Sequence, residues 1–158
     1  MVRIIFILGF FLLSTFVGLT QSKNYLKANF YFGIQEYTLA KPLLEKSIKQ
    51  KGNKFYLGNI YFQLGECDRI ANDSINRLYY LEAIDFTKRN YACGFDKQSV
   101  IKRLKLLAMC YYYLEDYEMA LSWMKKYLKV RPEDCEVERL FLKLLENMDG
   151  KPHDSNGQ

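Results

Sequence analysis

The most reactive side chains in this chain of 158 residues are four cysteines, Cys67, Cys93, Cys110 and Cys135. An even number suits pairing in an oxidising compartment. Free thiols are the open alternative, above all at Cys110, which stands in an apolar helical stretch where unpaired cysteine is common. No Cys-x-x-Cys spacing occurs, so neither a dithiol redox site nor a zinc cluster is supported. The single histidine, His153, lies close to the C-terminal end, which leaves no Ser–His or Cys–His pair on a rigid element. Gly52, Gly58 and Gly65 are scattered and form no phosphate loop. Glu66, Asp68 and Asp73 fall in one polar segment and could draw a cation, but their spacing fits no calcium loop and a solvated loop accounts for them. Asn72-Asp73-Ser74 has the form of an N-glycosylation acceptor, and Asp73 or Ser74 equally suits a helix N-cap. The expectation is a protein with no catalytic role, no cofactor and no metal.

The elements that would hold these side chains fall into two parts. Arg3 precedes "IIFILGFFLLSTFVGL", sixteen uncharged and largely apolar residues, followed by Thr20, Gln21, Ser22 and Lys23. A basic start, an apolar run and small residues near its end predict a secretory signal peptide over 1–20, with cleavage before Gln21. An uncleaved membrane anchor is the alternative, although the run is short of the ~20 residues a spanning helix needs. Without that segment the net charge falls from +5 to about +4. The remaining basic residues alternate with acids, as in "LLEKSIKQKGNK", which describes a solvated face and no nucleic-acid stripe. The expected location is periplasmic or extracellular, with membrane contact only through the first segment if it is retained.

Helical periodicity runs from Asn24 to Met148. Leu104, Leu107, Ala108 and Tyr111 recur at i, i+3, i+4 and i+7, one side of a helix. Glu115 and Asp116 form a polar turn, and a second helix directs Tyr117, Ala120, Leu121, Met124 and Leu128 inward. Pro132 stops it, because proline cannot continue the hydrogen-bond ladder. Leu57, Gly58 and Tyr61 repeat the first helix, with Gly65 expected in the turn. Ala28 and Tyr31, then Tyr37 and Ala40, repeat the pattern once more. A final amphipathic helix carries Val137, Leu140, Phe141, Leu144, Leu145 and Met148 on one stripe, and residues 149–158 are expected to be a disordered tail.

A Leu-Gly/Ala-x-x-Tyr helix followed by a Tyr-x-x-Ala helix resembles the tetratricopeptide repeat (TPR) over residues 23–148. The unit from Leu104 to Pro132 fits best. The first unit has Lys27 where leucine is usual, and the second has "ECDRIANDSIN" inserted before its second helix and "RNYACGFDKQS" after it. The resemblance implies an all-α fold, an α-solenoid of about three TPR-like hairpins plus a C-terminal capping helix. It implies a concave groove lined by the first helices, which would hold Phe32, Phe62 and Tyr112 as an aromatic ladder beside Asn29, Asn59 and Met109. Tyr25, Phe55 and Lys105 would lie a turn back, with Gln63 and Lys105 as a polar rim. Asparagine can bond a peptide backbone as donor and acceptor, and aromatics supply burial. The alternative is that the same rings only pack between helices. Asn29, Asn59, Lys102 and Lys105 echo the carboxylate clamp of some family members, but Tyr25 and Leu106 replace basic residues expected there.

In such a stack Cys67 and Cys93 flank a helix ~21 Å long, too far for a bridge. Cys67–Cys110 with Cys93–Cys135 is then the favoured pairing. The expected function is protein–protein interaction, binding a peptide or partner helix in the groove. A structural subunit of an envelope or membrane-associated complex, self-association included, and a membrane-anchored scaffold are the alternatives.

Overall fold

The computed structural model describes residues 21–72, 74, 76–91 and 97–149. The expected signal segment, Asp73, Cys93 and the tail from Gly150 onward, with His153, lie outside the described residues. Those described form seven α-helices and a 3-10 helix, with no strand among them. In chain order these are α1 (Lys23–Gly33), α2 (Tyr37–Ile48), the 3-10 helix (Lys51–Tyr56), α3 (Leu57–Ile70), α4 (Asn76–Tyr91), α5 (Lys97–Tyr113), α6 (Tyr117–Leu128) and α7 (Cys135–Asp149). The chain divides into two compact units, Met1–Asn76 and Arg77–Gln158. The second hairpin expected from the sequence is therefore divided: α3 belongs to the N-terminal unit and α4 to the C-terminal one.

In the N-terminal unit α1 and α2 form a hairpin closed by three residues. Gln35 adopts left-handed backbone with φ 64°. Its N–H donates to the Phe32 carbonyl at 3.1 Å, and the Glu36 N–H donates to the Tyr31 carbonyl at 2.9 Å. This pair of bonds is the Schellman closure, which satisfies carbonyls that a helix end leaves open. The hairpin α5–α6 in the C-terminal unit repeats it. Glu115 has φ 65°, its N–H donates to Tyr112 at 3.1 Å, and Asp116 donates to Tyr111 at 3.0 Å. Alanines sit where each pair of helices meets: Ala28 and Ala40 in one hairpin, Ala108 and Ala120 in the other, all fully buried. The N-terminal unit is further tied by Asn53, buried in the 3-10 helix. Its Nδ2 donates to Ser22 Oγ at 2.7 Å and to the Ser47 carbonyl at 2.9 Å, while its Oδ1 accepts from Ser22 N–H.

In the C-terminal unit Leu104, Leu107, Ala108 and Tyr111 are all buried, as their spacing predicts. Tyr80 of α4 stacks on Tyr113 at 5.3 Å between centroids, and Lys88 Nζ donates to the Tyr111 hydroxyl at 2.6 Å. Helix α7 packs against α6.

Four expectations are corrected. Gly65 lies inside α3, buried, not in a turn. The supposed insertion begins as a continuation of α3 to Ile70, and left-handed backbone comes only at Asn72, with φ 56°. Tyr117, expected inward, is exposed. On α7 only Val137 and Leu144 are buried; Leu145 and Met148 face solvent, so the stripe is half covered.

The two hairpin turns differ in one respect. Asp116 caps α6, accepting from the Met119 N–H at 3.2 Å, whereas Glu36 makes no side-chain cap. Asp116→Ala is expected to cost about 1 kcal/mol of stability. Glu36→Ala should change it by less than about 0.5 kcal/mol. Urea unfolding of the two variants checks the contrast.

Candidate functional site

The residues expected from the sequence to bind a partner fall in the two units separately. Asn29, Phe32, Asn59, Phe62 and Gln63 belong to the N-terminal unit; Lys105, Met109 and Tyr112 belong to the C-terminal one.

In the N-terminal unit α1 and α3 lie side by side, joined by two polar rungs. Asn59 Nδ2 donates to the Tyr25 hydroxyl at 2.5 Å. One turn along, Gln63 Nε2 donates to Asn29 Oδ1 at 2.8 Å. The spacing Tyr25–Asn29 on one helix and Asn59–Gln63 on the other is four residues each, which aligns both pairs on facing sides of the two helices. Tyr25, expected on the groove wall, is buried at 2% exposure. Burial raises its hydroxyl pKa, and the amides of Asn59 and Asn29 pull it partly back. Gln63, expected on a rim, is also buried, and its Oε1 has no hydrogen-bond partner among the described residues. Asn59 remains exposed, while Asn29, Phe32 and Phe62 are half-buried. Phe32 packs edge-on against Tyr37 across the hairpin turn, with centroids 5.3 Å apart.

In the C-terminal unit the same register positions serve closure. Lys105, eighty positions on from Tyr25, points its ammonium at Asp134 Oδ2 (2.9 Å) and Glu136 Oε2 (3.3 Å). The Tyr127 hydroxyl donates to the same Asp134 oxygen at 2.6 Å, and Asp134 Oδ1 accepts from the Val137 N–H at 3.3 Å. This cluster fastens α5 and α6 to the start of α7, and Lys105 is engaged in it. Burial pushes the Asp134 carboxyl up, but the hydrogen bonds from Tyr127, Lys105 and Val137 and the Lys105 charge outweigh it and hold the pKa at about 2. Met109, expected on the groove face, is buried. Tyr112 is half-buried, and its ring lies 6.3 Å from Tyr117, the counterpart of Phe32 against Tyr37. Tyr111 is buried beneath Lys88, whose ammonium stands 5.2 Å from its ring centre.

One charged pair escaped the sequence reading. Asp68, expected in a solvated loop, is fully buried on α3, with Oδ1 2.6 Å from Lys41 Nζ of α2. Beside it Cys67 is a buried thiol. Burial pushes its pKa up to about 11, with Asp68 adding to the rise and Lys41 opposing it. Cys110 is likewise a buried thiol and Cys135 an exposed one; no disulfide joins the described cysteines. Among the described residues no group of three His, Cys, Asp or Glu side chains could hold a metal ion, and no helix is long and apolar enough to cross a membrane. No protein-family model matches the chain, and no curated protein matches it.

Two predictions rest on these charges. Lys41→Ala strands the Asp68 carboxylate in the core and should cost about 3 kcal/mol, whereas Lys41→Met with Asp68→Leu should recover most of the loss; chemical denaturation measures both. Because the folded chain holds the Asp134 pKa below its ordinary 3.8, the stability it contributes is complete above the unfolded value. That stability is lost as pH falls toward about 2. Asp134→Asn is expected to flatten the stability profile in that window, seen as converging melting temperatures of wild type and variant at the acid end.

Proposed function

We propose that the chain is an exported, non-catalytic interaction module, a TPR-like α-solenoid that binds a peptide or partner helix through the α1–α3 face of its N-terminal unit. The observation that carries this reading is the surface beside the two amide rungs, where Asn59 is exposed and Phe32 and Phe62 are half-buried. Asn59, exposed, offers further amide capacity, and the half-buried Phe32 and Phe62 offer apolar anchors beside it. The repeat resemblance is supported by the matching Schellman turns at Gln35 and Glu115 and by the matching ring pairs Phe32–Tyr37 and Tyr112–Tyr117.

This reading narrows the binding surface. Lys105 and Met109 drop out, one committed to Asp134 and Glu136 and the other buried. Export stands on the apolar segment of residues 4–19 and on the composition that follows it.

The test is a cross-linked pull-down of the protein from its native cells, with Phe62→Ala and Gln63→Met alongside. A partner held by the wild type is expected to lose about tenfold in retention in each variant, the effect of one hydrogen bond or one anchor, with helicity unchanged by circular dichroism. Equal retention by all three proteins would place the interface away from α1 and α3.

A further inference from the structure

Helix α1 is apolar on two opposite sides. Tyr25 and Ala28 face the core. Leu26 and Phe30, with Ile34 at the C-cap, recur every four residues on the other side and are exposed at 53%, 63% and 53%. A Cβ placed on Gly33, on that same side, would meet nothing within 4 Å. A contiguous exposed apolar stripe of this kind marks an interaction surface.

The charge around the stripe selects the cover. Lys23 and Lys27 are exposed on α1, and no acidic residue precedes Glu36 in the sequence. From Gln21 to Asn76 the chain carries eight basic and five acidic residues, so the N-terminal unit is positive and its first helix wholly so. A second copy of the chain pairing α1 with α1 in parallel would bring Lys23 and Lys27 against their equivalents. An anionic lipid surface meets both requirements at once, because the apolar side chains enter the headgroup–acyl boundary while lysine stems extend to the phosphates. No described helix can span the bilayer, so the contact is one of lying on it.

We propose that α1 lies on an anionic membrane surface, with Leu26, Phe30 and Ile34 inserted and Lys23 and Lys27 on lipid phosphates. This surface is distinct from the α1–α3 rungs and would operate with or without a peptide partner there. The test uses the full chain carrying Phe30→Trp and Trp123→Phe, which leaves one indole, since the sequence has a single Trp. Vesicles of phosphatidylcholine, with and without phosphatidylglycerol, carry brominated acyl chains that quench a neighbouring indole. The expected result is a blue shift and quenching at position 30 that require phosphatidylglycerol. Lys23→Gln with Lys27→Gln, added to the same chain, should raise the phosphatidylglycerol needed for half-maximal quenching. Three results would overturn the proposal: an unquenched indole in protein that still sediments with the vesicles; a blue shift that follows protein concentration without lipid, which would assign the stripe to a second copy; and a lipid requirement unchanged by the lysine substitutions. Circular dichroism of each variant separates loss of docking from loss of fold.

Discussion

Two residues in left-handed backbone, Gln35 and Glu115, close the α1–α2 and α5–α6 hairpins on which the neighbouring helices pack. An L-residue there costs roughly 1–2 kcal/mol, and neither position is glycine. The conformation persists because it closes two hydrogen bonds at once and lets Glu36 or Asp116, the last residue of one motif, serve as the first of the next helix. The chain thus reverses within three residues, too few to let the helices drift apart. With the separation fixed at the turn, the crossing must be lined by small side chains. Ala28 with Ala40 and Ala108 with Ala120 meet that demand with no exposure remaining. A larger residue at any of the four would have to displace a helix already anchored at its end.

That chain of dependence explains what was legible in the sequence. The alanines, and Leu104, Leu107 and Tyr111, were readable because a 3.6-residue period assigns a face from spacing alone. The end of α3 was not. Gly65 looked like a turn, since glycine is the usual left-handed residue, yet the helix runs through it to Ile70, and left-handed backbone comes at Asn72. Nor was the burial of Asp68 legible; it meets Lys41, a partner 27 positions away that no local pattern reveals. A signal did exist for the start of α7: Asp134 stands three residues before Val137, the spacing of an N-cap, and it accepts from the Val137 N–H.

The candidate site was legible as a set of positions but not as a set of roles. Register paired residue 25 with 105 and 32 with 112 in the sequence. It could not say that Tyr25 would turn its hydroxyl to Asn59 while Lys105 would reach Asp134. Long polar side chains at one register can end several ångströms apart, and their partners come from whatever loop or helix packs nearby. Of the expected disulfides, Cys93–Cys135 falls on a residue outside those described, and Cys67 and Cys110 are thiols in the structure. Cys67 and Cys110 lie on helix faces that are buried by packing, where a thiol behaves as a small apolar group.

The difference between the two sets of polar contacts bears on which unit could exchange them for a ligand. The cluster around Asp134 combines an ammonium, a phenol and a helix N–H on one carboxylate. Hydrogen bonds to a charged group contribute roughly 1.5–3 kcal/mol each, and neutral ones about 0.5–1.5. Displacing Lys105 or Tyr127 would also loosen the attachment of α7, whose apolar stripe is only half covered as it stands. The rungs between α1 and α3 are neutral amide and phenol contacts, and beside them Asn59 is exposed. A peptide docking there would leave both rungs in place and add bonds to Asn59, whereas at the C-terminal unit it would have to break an ion cluster that holds a helix.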